Sequence, residues 1–213
     1  MRITIVGGTG YTGANIARIA AARGHQVTSL SRHEPTEPVP GVSYRTGSVL
    51  DPAVRQQAVA DTDVLVLAAS PRGNLLEAQT EVYQAFLELA DAAGVRLFVI
   101  GGYSTLRPAP GAPRILEAGQ FPPEFAREIQ AGADNLDALL AAPDSLDWVY
   151  VSPAGSYGAH TPGEATGHYR KGGEIALVDQ AGNSAISGAD FALGVVDAIE
   201  AGTDHRAHLS FAY

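Results

Sequence analysis

The stretch Ile3-Thr4-Ile5-Val6-Gly7-Gly8-Thr9-Gly10-Tyr11-Thr12-Gly13 decides the fold. Its first four residues are β-branched and suit a strand. Gly8, Gly10 and Gly13 then satisfy the spacing G-x-G-x-x-G, and Gly7, Gly10 and Gly13 the looser G-x-x-G-x-x-G. At a strand–turn–helix junction each glycine has a mechanical task. The turn after the strand needs a residue tolerant of unusual backbone angles. Gly10 lets a pyrophosphate approach the helix N-terminus, where free N–H groups and the helix dipole favour an anion. Gly13 lets the helix pack close to the sheet, and Thr9 and Thr12 add hydroxyl donors. A dinucleotide-binding turn at the first β–α junction is the expectation.

Working outward, short apolar runs alternate with longer helical periodicities. Strands are expected at Arg2–Val6, Gln26–Leu30, Val42–Arg45, Asp63–Ala68, Val95–Ile100, Asp147–Val151 and Ala207–Ala212. Helices are expected at Gly10–Arg23, with Ala14, Ala17 and Ala21 turned inward, from Asp51-Pro52 to about Ala60, and at Leu75–Ala93, Pro122–Ala142 and Ala189–Ala201. Strands apolar on both faces and spaced by helices indicate a parallel sheet covered on both sides. Right-handed crossovers make it doubly wound, an α/β Rossmann arrangement. One domain, residues 1–213, is expected. The proline-rich Leu106–Pro123 and the segment 152–188, rich in Gly, Ser, Thr and His, interrupt the pattern. Both follow strand ends where open α/β sheets bind ligands, and 152–188 reads as an insertion covering a substrate.

Composition narrows the chemistry. The chain has 213 residues, no cysteine, and 14 Lys+Arg against 23 Asp+Glu, for a net charge of −9. Absence of cysteine removes disulfides, thiolate nucleophiles and Cys-based metal sites. Lys171 is the only lysine and is followed by Gly172, so the P-loop pattern is missing. The acidic balance argues against nucleic-acid and anionic-membrane partners, which need clustered bases. Val64–Ala69, the longest apolar run, is far shorter than the ~20 residues of a membrane span. A cytoplasmic protein acting on a small molecule is expected, and nothing in the pattern sets an oligomeric state. His205 and His208 lie three apart without a carboxylate cluster, so no metal site is expected.

The end of the second strand bears on which dinucleotide is bound. NAD sites usually carry an acid there for the ribose 2′-hydroxyl. Here the position is Ser31, followed by Arg32, and the first acid is Glu34 before Pro35. An arginine meets a 2′-phosphate with charge-assisted bonds, so NADP(H) is expected over NAD(H).

Several further runs join the glycine-rich turn: Gly47-Ser48-Val49-Leu50-Asp51, Val99-Ile100-Gly101-Gly102, Phe121-Pro122-Pro123-Glu124-Phe125, Ser152-Pro153-Ala154, Thr166-Gly167-His168-Tyr169-Arg170 and Ile186-Ser187-Gly188-Ala189-Asp190-Phe191-Ala192. Together they resemble the atypical short-chain dehydrogenase/reductases, in the group similar to flavin reductase/biliverdin-IXβ reductase and the NmrA-like proteins. The resemblance spans nearly the whole chain. It implies cofactor contacts from Gly7, Thr9, Gly10, Tyr11, Thr12, Gly13, Ser31, Arg32, Ser48, Val49, Ala68, Ala69, Ser70 and Gly101, with Pro153 near the nicotinamide. Ser48 departs from the family's usual acid. A substrate would meet Tyr157, His160, His168 and Tyr169.

The broad superfamily's Tyr-x-x-x-Lys acid is impossible here, because Gly167 stands four residues before the only lysine. Tyr103 has Arg107 at that spacing, but an arginine does not relay protons. An oxidised flavin or quinone accepts hydride once stacked and aligned, so such acceptors suit this chain better than alcohols or ketones. The resemblance places a hydroxyl after the fifth strand, where Ser104 and Thr105 stand and Tyr103 can stack. The leading expectation is an NADPH-dependent reductase of flat conjugated acceptors. A non-catalytic NADP(H)-sensing regulator of NmrA-like type is the alternative, and an epimerase or dehydratase the next. Ala154-Gly155-Ser156-Tyr157-Gly158 mimics a nucleophile elbow but runs into Thr161-Pro162-Gly163 rather than a helix, which speaks against a hydrolase.

Overall fold

A computed structural model describes residues 1–119 and 121–213. Its order is β1 (Arg2–Val6), α1 (Tyr11–Ala22), β2 (Gln26–Ser31), β3 (Val42–Thr46), α2 (Pro52–Val59), β4 (Val64–Leu67), α3 (Asn74–Ala93) and β5 (Arg96–Ile100). Then come α4 (Ile115–Ala118), α5 (Ala126–Leu140), β6 (Trp148–Ser152), β7 (Arg170–Gly172), α6 (Gly188–Ala201) and β8 (Ala207–Ala212). Single 3₁₀ turns lie at Tyr103–Thr105 and Pro123–Phe125. The strands form one sheet in the order β3-β2-β1-β4-β5-β6-β8-β7, parallel except for the antiparallel β7.

Alternation along each strand builds two cores. Val64 and Val66 of β4, Phe98 of β5, and Val149 and Val151 of β6 face α1 and α6, packing with Ile16, Ala17, Phe191 and Val195. Leu65 and Leu67, Leu97 and Val99, and Trp148 and Tyr150 face α2, α3 and α5, packing with Val59, Phe86 and Leu136. Both sheet faces are dry, which is why these strands read as unbroken apolar runs. The buried side of α1 is Gly13, Ile16, Ala17 and Ala20, so Ala14 and Ala21 are not its inward centre as expected.

The β1–α1 turn depends on two glycines. Gly7 has φ +82°, and a Cβ there would lie 2.7 Å from the Ala69 backbone. A Cβ on Gly13 would lie 2.3 Å from the Gly7 carbonyl oxygen, so only glycine lets α1 start this close to the sheet.

Three elements differ from expectation. The helix expected from Pro122 begins in earnest at Ala126, because consecutive prolines lack amide donors and open with one 3₁₀ turn. Short α4 lies inside the proline-rich loop. β7, of sequence Arg-Lys-Gly, exists only by pairing with β8 (Lys171 opposite Phe211) and carries no apolar alternation of its own.

The segment leading to α6 is tied down by one buried carboxylate. Asp190 accepts hydrogen bonds from Thr166 N (2.7 Å), Gly167 N (2.9 Å), Thr166 Oγ1 (3.0 Å), Ser187 Oγ (3.1 Å) and Tyr213 Oη (2.6 Å). Burial alone would push this carboxyl up. The donors from Thr166, Tyr213 and Gly167 together outweigh it and hold the carboxyl below its ordinary 3.8. A depressed carboxyl pKa contributes stability above its unfolded value and loses it as pH falls through the folded one. Asp190→Ala should therefore cost roughly 1–3 kcal/mol at neutral pH, read from urea midpoints. Asp190→Asn should flatten the fall in stability below about pH 4; an unchanged acid limb would contradict the assignment.

Candidate functional site

The sheet order reverses between β1, which leads on to β2, and β4, which leads on to β5. Ligands bind outside the strands' C-terminal ends at such a switch point. A cleft of about 760 Å³ opens there. Its walls are Gly10, Tyr11 and Thr12 of the first turn, Ala68–Arg72 after β4, Gly101–Ser104 after β5 and Pro153–Gly155 after β6. Tyr157–His160 closes one side, and Phe121, Phe125, Glu128 and Ile129 the other.

The floor suits an anion. No side chain caps α1 at Gly10, leaving its first-turn amides without the usual capping acceptor. The Gly10 amide donates to Gly7 O at 3.0 Å, which fixes the turn. The cradle formed by Gly7 and Gly13, which side chains would fill, fits a nicotinamide nucleotide's pyrophosphate.

Ser31 and Arg32 lie at the end of β2. Ser31 Oγ accepts from Thr9 N at 3.1 Å, so its own proton remains free to donate. Arg32 is exposed beside it. Gly47 N donates to Ser31 O at 2.9 Å, which brings Ser48 and Val49 next to this strand end. Ser48 Oγ accepts from Leu50 N at 3.3 Å. The buried guanidinium of Arg55 holds the same corner from below through Val49 O at 2.7 Å and Leu50 O at 3.2 Å. Sequence reading missed Arg55, whose only signal was an arginine on the first turns of an otherwise apolar helix face.

The other anticipated residues separate into those that reach the cleft and those that do not. Tyr103, Ser104, Gly101, Pro153, Tyr157 and His160 line it. The Tyr103 ring packs over Gly155. Tyr157 shares a hydrogen bond with Thr12 Oγ1 at 2.8 Å and meets the Tyr11 ring edge-on at 5.5 Å between centroids. Burial pushes the Tyr157 phenol well above its ordinary value, so it stays protonated and braces the turn. His168 and Tyr169 are not brought to the cleft. His168 is exposed, and Tyr169 packs on Phe211 at 5.1 Å and donates to Asp197 on α6. The Asp190 anchor pulls this part of the 152–188 segment away, so only its start faces the cleft.

Thr105 lies behind the wall, buried, in a chain of hydroxyls. Its Oγ1 donates to Gly102 O at 2.7 Å and lies 3.0 Å from Ser152 Oγ, which is 2.8 Å from His208 Nε2. With the Thr105 proton on Gly102 O, Ser152 donates to Thr105 and His208 Nε2–H donates to Ser152. Burial lowers the His208 imidazole to about 4. Neither Ser152 nor His208 stood out in the sequence as a partner for Thr105, since their meeting depends on β6 and β8 being neighbours. Lys171 is held by Asp204 at 2.6 and 2.7 Å on the edge strand β7 and does not line the cleft. Among the described residues, no group of three or more His, Cys, Asp or Glu side chains is placed to hold a metal ion. Among them, too, no helix is long and apolar enough to cross a membrane.

A mostly parallel doubly wound sheet with an uncapped glycine-rich helix start at its switch point defines a Rossmann nucleotide-binding protein. The chain belongs to the NAD(P)H-binding family, whose model matches residues 7–201. It is 31% identical to the uncharacterised protein YwnB of Bacillus subtilis over 202 residues, 94% of this chain and 92% of that one. A solved Streptococcus pneumoniae protein, provisionally named an NADH-flavin reductase, superposes with a TM-score of 0.89 at 29% identity, covering 100% of this chain and 99% of that one. A Burkholderia pseudomallei protein provisionally named as exported is 36% identical, with a TM-score of 0.85 and 100% of both chains covered.

A histidine whose folded pKa is lowered contributes stability above its unfolded value of 6.5 and loses it as pH falls towards about 4. Stability should therefore decline from pH 6.5 towards 4 in the wild type and more shallowly in His208→Gln. A His208 resonance titrating near 6.5 by NMR would contradict the buried hydroxyl chain.

Proposed function

We propose that the protein is an NADPH-dependent reductase passing hydride to a flavin, quinone or similar flat conjugated acceptor. The observation that carries this reading is a cleft walled by Tyr103, Phe121, Phe125, Pro153 and Tyr157, with the only lysine ion-paired on the far edge strand. Such walls stack and align a flat ring, and nothing in them supplies the Tyr-Lys acid that a ketone needs.

The glycine turn from Gly7 to Gly13, with Thr9, Tyr11 and Thr12, would bind the nucleotide's pyrophosphate. Ser31 and Arg32 would take a 2′-phosphate, and Ser48 and Val49 would flank the adenine. Ala68, Ala69, Ser70, Gly101 and Pro153 would line the path to the reacting ring. When bound, the reduced nicotinamide supplies the hydride. Ser104 would supply a hydroxyl beside the reacting ring, and Tyr103 a ring to stack on it and a phenol. Thr105 holds the 3₁₀ turn that carries both by bonding Gly102 O. In this reading the protein would work in the cytoplasm, as one domain acting on a small molecule.

The missing Tyr-Lys pair also favours a second reading, a non-catalytic NADP(H) sensor. Steady-state NADPH oxidation with FMN, FAD and a quinone panel separates the two. Turnover supports the reductase, whereas tight NADP(H) binding with no turnover above background supports the sensor. For the nucleotide preference, Arg32→Ala should weaken NADPH binding about 10–100-fold, the loss of a charge-assisted contact of roughly 1.5–3 kcal/mol. NADH binding should hardly change. Equal affinity of the wild type for NADPH and NADH would overturn the preference.

A further inference from the structure

Arg72 and Glu128 face each other across the mouth of the cleft. Arg72, on the loop after β4, donates from Nε to Glu128 Oε2 at 3.0 Å and from Nη2 to Oε1 at 3.2 Å. Glu128 comes from the first turn of α5, so the pair bridges two walls that are otherwise separate elements. Among the described residues that line the cleft, Arg72 is the one lysine or arginine and Glu128 the one carboxylate.

The bridge is weak by construction. The Arg72 side chain is 70% exposed, and ion pairs in such surroundings contribute little to stability. Opening it costs little, yet it already shows the guanidinium fork gripping a planar anion in bidentate fashion. That fork fits a phosphate or a carboxylate equally. The surroundings are those of a ring-binding site, with Phe125, 47% exposed, one helical turn before Glu128 and Tyr103 on the neighbouring wall. The chain's net charge of −9 repels an incoming anion, so an anionic ligand needs a local cation, and the cleft provides this one.

We propose that Arg72 receives an anionic group, a phosphate or a carboxylate, on the tail of the acceptor, and that Glu128 is the internal anion it displaces. The ring identity rests on the reductase reading; the anion site rests on the Arg72–Glu128 geometry. Glu128 then acts as a competitor, so removing its charge strengthens the ligand instead of weakening it. A merely structural ion pair gives no such opposite signs.

The test is equilibrium dialysis of protein saturated with NADP⁺, which fills the pyrophosphate turn and leaves the acceptor site to be read. FMN and riboflavin share ring and ribityl chain and differ in the phosphate. 2-Carboxyanthraquinone and 2-hydroxymethylanthraquinone differ in a carboxylate. The expected result is that the anionic member of at least one pair binds about 10-fold more tightly, and the pair that shows it identifies the anion. Arg72→Ala should bring that ratio to within about twofold, Arg72→Lys should leave it intermediate, and Glu128→Gln should widen it. Equal dissociation constants within both pairs, no detectable binding of any of the four, a ratio that survives Arg72→Ala, or one that narrows in Glu128→Gln would each overturn the proposal. Preferential anion binding without NADPH oxidation would keep the anion site and sink the reductase reading. Turnover without the preference would do the reverse.

Discussion

The approach of α1 to the end of β1 governs the molecule. A Cβ on Gly13 would stand 2.3 Å from the Gly7 carbonyl oxygen, and one on Gly7 would stand 2.7 Å from the Ala69 backbone. These two contacts bring three pieces of chain into one corner: the strand end, the helix start and the segment after β4. From that corner the rest follows. β1 pairs with β2 on one side (Ile3 opposite Val27) and with β4 on the other (Ile3 opposite Val64), so the crossovers diverge and leave a crevice above the sheet. The uncapped amides of α1 point into it. A side chain at either glycine would lift the helix, and the crevice would lose its anion-binding floor together with its packing.

A second constraint decides what covers that crevice. Asp190 satisfies itself with donors drawn from residues 166, 167, 187 and 213, so one carboxylate joins the loop after β6, the N-terminus of α6 and the chain end. Removing water from a carboxylate is expensive, and the surrounding donors offset that cost. The consequence for the site is negative as well as positive. Tyr157 to His160 are left over the cleft, while His168 is left exposed away from it and Tyr169 is drawn against Asp197 of α6 and Phe211 of β8. The composition of residues 152–188 looked uniform, but the buried acid splits it into a covering part and an anchoring part.

The two-faced strands were legible because their chemistry is local. Val64, Leu65, Val66 and Leu67 need no knowledge of partners to read as a strand buried on both sides, and helices between such strands imply a parallel, doubly wound sheet. The glycine turn was legible for the same reason, since Gly7, Gly10 and Gly13 act within one turn of chain. What escaped depends on neighbours distant in sequence. β7 is a strand because β8 passes alongside. Ser152 and His208 join Thr105 only because β6 and β8 are adjacent. Arg72 and Glu128 lie 56 residues apart and look, in isolation, like two ordinary surface charges. The helix expected from Pro122 failed at its start for a local reason, the missing amides of two prolines.

The hydroxyl chain and the lone lysine lead to one mechanistic view. A phenol or alcohol becomes an effective acid near neutrality when a cation lowers its pKa, and the lysine of the wider superfamily does that for its tyrosine. In this cleft and behind its wall, burial favours the neutral forms instead. Tyr157 is pushed upward by burial, and His208, the nearest base to the Thr105 chain, is pushed down to about 4 and stays neutral. Around the cleft the buried polar groups thus stay neutral at working pH and serve to fix the wall that presents Tyr103 and Ser104. On the reductase reading proposed above, a site of this kind would lower a barrier by position, with an acceptor whose own reduced form tolerates negative charge until solvent protonates it. Flavins and quinones meet that requirement through conjugation; a simple ketone, whose alkoxide is strongly basic, does not.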